Sequence, residues 1–195
     1  ETYAEVDKAL ADLNGNSAAW RLSEDRAFIE GMNQNMATTL FYGDSSLDPE
    51  KFMGLTPRYN SLSAENAMNI VDAGGTGSDN ASIWLIVWGP NTCHTIYPKG
   101  SPAGLQSRDL GEDTLLDAGG GRYQGYRTHY KWDIGAVLRD WRYVVRIANI
   151  DVSDLTKNAS AGADLIDLLT QALEVIPNLG MGRPCFYMPR KIRSF

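Results

Sequence analysis

The chain has 195 residues, 43% apolar and 22% charged, which is enough for a buried core and argues against a disordered, collagen-like or disulfide-scaffold protein. Its net charge of −6 argues against a dedicated nucleic-acid binder, whose binding face is basic, and leaves room only for small basic patches. The two cysteines, Cys93 and Cys185, lie far apart and read as free thiols in a reducing compartment rather than as a staple.

Glu1 to Leu10 is acidic and mixed, without the basic start and apolar run of a signal peptide. Tyr3 to Leu13 reads as helical, and Asn14-Gly15-Asn16 interrupts it. Ser17 then caps a longer helix ending near Tyr42, with Gly43 as the stop. Ala18, Leu22, Ile29, Met32, Met36 and Leu40 form its narrow apolar stripe. Such a helix, roughly 40 Å long, suits an elongated lobe with sheet on one side and neighbours on the other.

Asp44 to Tyr59 is turn-rich and reads as a connecting loop, and Asn66 to Asp72 as a short helix or strand. Ala81 to Trp88 is a strand buried on both faces, with Cys93 to Tyr97 as its partner after the Gly89-Pro90-Asn91 turn. That apolar run is far short of the roughly 20 residues needed to cross a bilayer, so synthesis in the cytosol is expected. Pro98 to Gly121 reads as one long glycine-rich loop used in contacts.

Tyr123 to Trp132 and Trp141 to Ile150 are the next strands. In the second, Trp141, Tyr143, Val145 and Ile147 share one face, and Arg142, Val144, Arg146 and Ala148 a partly buried other face. Ser160 is expected to cap a helix carrying Leu165, Leu168, Leu169, Ala172 and Ile176, ended by Pro177. Cys185 to Met188 with Ile192 reads as a last strand among Arg190, Lys191 and Arg193. The order implies an α+β fold with mainly antiparallel pairing.

No catalytic, cofactor-binding or metal-binding residue is named by this sequence, and no cofactor is implied. Cys93 and His94 are neighbours on a strand, so their side chains point apart, and His129 is the other candidate base for a cysteine hydrolase. The cysteines and histidines show no zinc spacing, and Gly77-Ser78-Asp79-Asn80 lacks the ligand ladder of a calcium loop. Gly74-Gly75-Thr76-Gly77 and Gly119-Gly120-Gly121 run into strands rather than helices, so they are flexible turns or backbone contact points, not phosphate loops. The acidic pairs Glu24-Asp25, Glu112-Asp113 and Asp164 with Asp167 default to solvated faces. Aromatic and basic residues interleave at Tyr123, Tyr126, Arg127, Tyr130, Lys131 and Trp132, and at Trp141, Arg142, Tyr143 and Arg146, which suits core and interface. A carbohydrate-binding module using exposed Trp and Tyr is a further alternative.

Several long words then carry a family resemblance. Phe41-Tyr42-Gly43-Asp44, Asp48-Pro49-Glu50-Lys51-Phe52 and Gly54-Leu55-Thr56-Pro57-Arg58-Tyr59 occur in order. Asp72 to Asn80 with Ser82-Ile83-Trp84, Tyr97-Pro98-Lys99-Gly100 and Asp140 to Ile150 follow. This series resembles tailed-phage major capsid proteins of the Hong Kong 97-type fold, in the gene-product-seven branch of epsilon-fifteen-like short-tailed phages.

The resemblance implies a structural protein without enzyme activity, a subunit of an icosahedral shell around packaged DNA. Residues 1–60 would hold the spine helix and a peripheral segment, 61–180 the axial domain, and 181–195 a strand returning to the periphery. The implied partners are copies of itself in hexamers and pentamers, then scaffold, cement and portal proteins. Weak nonspecific contact with DNA is implied, through Arg190, Lys191 and Arg193 among others, and no membrane contact. The protein would be made in the host cytoplasm and reside in the virion. Family members carry an N-terminal arm, an extended loop before the spine helix and further C-terminal chain, so a shortened form is expected.

Overall fold

The computed structural model describes residues 1–155 and 163–195. In chain order its strands and α-helices are β1 (Thr2–Asp7), α1 (Lys8–Leu13), α2 (Ala18–Tyr42), β2 (Ile70–Asp72), β3 (Asn80–Trp88), β4 (Cys93–Ile96), β5 (Gln106–Leu116), β6 (Arg122–Lys131), β7 (Gly135–Leu138), β8 (Val144–Asp151), α3 (Leu165–Val175), β9 (Arg183–Tyr187) and α4 (Arg190–Ser194). Two compact units share them: Glu1–Phe52 with Ile96–Gly135, and Met53–Thr95 with Ala136–Phe195. Helices accompany sheets that are paired mainly antiparallel, which is the expected α+β class.

The first unit holds the three-stranded sheet β1-β6-β5. Its opening segment is a strand where helix was expected. Thr2 to Asp7 pairs along its whole length with β6, from Thr2↔Tyr130 to Asp7↔Gly125, and that pairing overrides local helix preference. Helix then begins at Lys8, where the Asp7 carboxylate accepts from the Leu10 N–H at 3.1 Å. Gly15 and Asn16 both take positive φ and end it. Ser17 caps α2 as expected, accepting from the Trp20 N–H at 3.2 Å, and Gly43 closes it. The 25 residues of α2 span about 37 Å.

The inward stripe of α2 differs from the expected one. Ala18 and Leu22 are exposed, whereas Arg21 and Ile29 are half-buried and Asp25 and Thr39 buried. Two polar contacts hold the N-terminal half. Arg21 donates to both carboxylate oxygens of Asp109 at 3.2 and 2.6 Å, with its guanidinium 5.2 Å from the Tyr126 ring centre. The Tyr130 hydroxyl donates to Asp25 Oδ2 at 2.8 Å. Hydrogen bonds from Arg21, then from the Gly111 N–H, hold the Asp109 carboxyl below the ordinary carboxylate range.

The middle of the expected Pro98–Gly121 loop, the 11 residues Gln106–Leu116, is strand. β5 pairs with β6 from Gln106↔Lys131 to Leu116↔Arg122, with a bulge between Asp109 and Gly111. Its residues alternate poorly because one edge and much of both faces are exposed, so the strand has no apolar signature. The hairpin turn at 117–121 is built on Asp117, whose carboxylate accepts from the N–H groups of Gly119 and Gly121 at 2.8 and 2.7 Å.

In the second unit, β3 lies between β8 and β9, with β2 beyond β8. β3 is buried along Ile83 to Val87, as its apolar run requires. β4 is a lesser partner than expected: it meets β3 at Trp88↔Cys93 alone, in parallel, and continues to β7, which the sequence reading did not anticipate. One face of the sheet packs Ile83, Leu85, Val87, Val145 and Ile147 against Leu168 and Ala172 of α3 and its C-cap Ile176. Ser160, the expected cap of α3, lies outside the described residues. Asp164 accepts from the N–H groups of Ile166 and Asp167, both at 3.2 Å.

Two further expectations need correction. Trp141 to Tyr143 is a 3-10 turn capped by Asp140, and β8 starts only at Val144, so Trp141 does not share the strand face of Val145 and Ile147. Ile192 belongs to α4 rather than to a strand. Pro189 precedes this helix, and Ile192 inserts into the core beside α3.

The other face of the sheet is closed by the segment from Leu55 to Asn69. Tyr59 is fully buried, its hydroxyl donating to the Trp141 carbonyl at 2.7 Å. Asn69 Nδ2 donates to the carbonyls of Arg142 and Val144, each at 3.0 Å. Arg146 is half-buried, as its expected face requires. It donates to the Tyr59 carbonyl at 2.7 Å and to Ser82 Oγ at 3.1 Å, with its guanidinium 5.4 Å from the Trp84 ring centre.

Candidate functional site

The nucleophile candidates come first. Cys93 is buried, and burial pushes its thiol up to about 11, the reverse of what an activated nucleophile needs. Cys93 and Cys185 stand on strands that pair with opposite edges of β3, at Trp88↔Cys93 and Ile86↔Cys185. Two strand spacings separate such positions by about 9–10 Å, beyond the reach of a disulfide. His94 Nδ1 is buried and has no hydrogen-bond partner among the described residues. His129 lies in the first unit, stacked on Tyr3 with ring centres 4.8 Å apart, and reaches Glu1 at 3.4 Å. A thiol reagent at neutral pH should leave Cys93 unlabelled in the native protein and label it after unfolding. Peptide mapping by mass spectrometry checks this, and rapid native labelling of Cys93 would reopen the hydrolase reading.

The paired carboxylates are occupied by local structure. Asp25 receives Tyr130, Glu112 receives Lys8 at 2.6 Å, and Asp113 receives Arg127 at 2.9 Å. Asp164 caps α3, and Asp167 accepts from Gln171 at 2.6 Å. Among the described residues, no group of three or more His, Cys, Asp or Glu is placed to hold a metal ion.

The glycine-rich segment at 74–77 is tied down rather than free. Gly75 N–H donates to the Asn149 carbonyl at 2.8 Å, and Asn80 Nδ2 donates to the Gly75 carbonyl at 3.1 Å. Asp72 Oδ1 accepts from both Gly74 N–H and Asn149 Nδ2. A Cβ at position 75 would strike the Asn149 carbonyl oxygen, so glycine is required there by close backbone approach.

The interleaved aromatic and basic residues of β6 are mostly used within the first sheet. Arg127 binds Glu5 and Asp113 and lies over Tyr3, Tyr126 donates to Asp12, and Lys131 meets Glu1 and Asp133. Arg142 is held by Asp140 through two bonds of 3.0 and 2.7 Å. Arg190, Lys191 and Arg193 are exposed on α4 and make no ion pair among the described residues. Large apolar side chains also stand free at the surface: Leu47 is 85% exposed, Leu13 83% and Ile166 79%.

These contacts describe a surface with interaction potential, and among the described residues they assemble neither the candidate nucleophiles and bases nor a metal-holding group. The profile of a protein family described as Major capsid protein GP7 matches residues 1–195, the whole chain. The chain belongs to that family. Among curated proteins none matches significantly. The chain is therefore a structural subunit of a phage capsid, and its place is the virion. Nothing in the family or in these contacts supports the cysteine-hydrolase or carbohydrate-binding alternatives. No described helix is long and apolar enough to cross a membrane.

Sequence reasoning passed over Asn69, the buried Thr92, whose hydroxyl donates to the Val87 carbonyl at 2.7 Å, and the exposed Arg58 and Arg139, which line one groove. A polar residue that satisfies buried carbonyls reads the same, in one sequence, as a polar residue in a solvated loop. The signal for Arg58 was its place in the word Gly54 to Tyr59, and Arg139 directly precedes the word Asp140 to Ile150.

Proposed function

We propose that this subunit builds an icosahedral shell around packaged DNA with the Hong Kong 97-type fold, in the branch typified by epsilon-fifteen-like short-tailed phages. The whole-chain family match carries this reading. The 25-residue length of α2 supports reading it as the spine helix. In a shell, 1–60 would supply the spine and a peripheral segment, 61–180 the axial part, and 181–195 the strand leading back toward the periphery. The subunit is made in the host cytoplasm, performs no catalysis and binds no cofactor. It assembles as hexamers and pentamers, meets scaffold, cement and portal proteins, and touches DNA weakly through Arg190, Lys191 and Arg193.

Such a protein works through many weak contacts repeated by symmetry, heterologous interfaces closing into rings. The intact subunit should sediment as capsomers and closed shells, seen directly by electron microscopy. Deleting Gly119 to Gly121 removes the β5–β6 turn and should reduce capsomer yield. A subunit that stays monomeric at every concentration, with scaffold and portal present, would overturn the reading. Normal yield of the deletion variant would remove the turn from it.

A further inference from the structure

The second unit carries a groove of about 510 Å³ lined by Arg58, Glu65, Asn66, Leu138, Arg139 and Trp141. Its backbone is fixed. Asn66 Nδ2 donates to the Arg58 carbonyl at 2.7 Å, Arg139 N–H donates to the Thr92 carbonyl at 2.8 Å, and the Trp141 carbonyl accepts from buried Tyr59. Its charged side chains are not fixed. Arg58 and Arg139 are both exposed and make no ion pair among the described residues, in contrast to neighbouring Arg142, which Asp140 neutralises. Trp141 is 38% exposed. A pre-set backbone presenting two unpaired guanidiniums beside an indole has the Arg and Trp composition of an interface hot spot. Glu65 in the same wall offsets one of the two guanidiniums, and the small positive charge that is left favours a single carboxylate with an apolar anchor over a polyphosphate.

The same chain displays such a ligand. Leu47, the most exposed of the large hydrophobic side chains described, stands on the turn from Asp44 to Glu50. The turn is rigid: Asp44 Oδ1 accepts from Ser46 N–H and Oγ at 2.9 and 2.6 Å, and the Asp44 carbonyl accepts from the Leu47 and Asp48 N–H groups. Asp48 is paired with Lys51 at 2.9 Å, while Glu50 is exposed and makes no ion pair among the described residues. The tip thus presents an exposed leucine and the Glu50 carboxylate, which has no ion-pair partner among the described residues.

We propose that the Arg58–Arg139 groove is a socket for the Asp44–Glu50 turn of a second copy of this chain. Leu47 packs on Trp141 and Leu138, and the Glu50 carboxylate meets Arg58 and Arg139. Knob and socket are different surfaces, so the contact is heterologous and propagates head to tail until a ring closes. The inference rests on the capsid reading and names one of its contacts.

The test uses the intact subunit. Leu47→Ser and the double variant Arg58→Glu with Arg139→Glu should each weaken capsomer association about tenfold or more, measured by sedimentation velocity, with the thermal melting midpoint unchanged. Adding Glu50→Arg to the double variant should restore much of that loss. Wild-type shells with unaffected variants, or failure of the added Glu50→Arg to rescue, would overturn this inference alone. Variants that assemble normally but retain less DNA would assign the groove to phosphate instead. A wild-type subunit that never assembles would overturn the capsid reading and this contact with it.

Discussion

Replacing Asn69 with alanine should destabilise the second unit by about 2–4 kcal/mol, and replacing it with aspartate should cost more. Asn69 is 1% exposed, and its amide donates to the carbonyls of Arg142 and Val144 at 3.0 Å. These two carbonyls flank the point where the 3-10 turn becomes β8. Alanine leaves both acceptors without their donor in a site closed by Tyr59, at about 1–3 kcal/mol for each buried group. Aspartate keeps the shape but sets carboxylate oxygens against carbonyl oxygens, which adds repulsion and buried charge. The order reverses in acid, where a protonated aspartate donates one hydrogen and recovers part of the loss. Denaturant midpoints at constant slope check the ranking. An alanine variant within about 0.5 kcal/mol of wild type would show that water replaces the amide there.

What was legible follows from how strongly each segment declares its surroundings. Ala81 to Trp88 declares burial on both faces, and β3 is buried along Ile83 to Val87. Leu168, Ala172 and Ile176 declare one helical face, and they enter the core. Ser17 and Gly43 declare the ends of α2 by capping chemistry that acts within a few residues. The misread segments depend on partners distant in sequence. β1 is a strand because β6, more than a hundred residues away, pairs with it. β5 lacks apolar alternation because it lies on a sheet edge, so its polar residues imitate a loop. Tyr59, Asn69 and Arg146 close one face of β3 through polar contacts invisible to hydropathy. The family words reached the capsid role because they span many residues in order, whereas the groove at Arg58 and Arg139 joins two segments about eighty residues apart, which a single sequence does not bring together.

A second large effect is expected at α2. Its stripe was read as apolar, yet the deepest side chain of its N-terminal half is Asp25, 3% exposed, receiving the Tyr130 hydroxyl at 2.8 Å. Tyr130→Phe should cost about 2–3 kcal/mol, because it deletes a bond to a carboxylate and leaves that carboxylate buried. Asp25→Asn should cost less, since the amide oxygen still accepts from Tyr130. A double-mutant cycle with Asp25→Ala should give a coupling energy of at least about 1 kcal/mol. Burial, then the bond to Asp25, push the Tyr130 phenol up to about 12, above its ordinary 10.0. A folded-state value raised in this way means that the native protein holds the proton longer than the unfolded chain does. The bond's contribution is therefore full below pH 10 and declines as pH climbs toward 12. Ultraviolet titration of the phenols, with Tyr130→Phe as the reference, isolates that late ionisation. A zero coupling energy would mean that the Tyr130–Asp25 bond contributes nothing to holding α2 on its sheet.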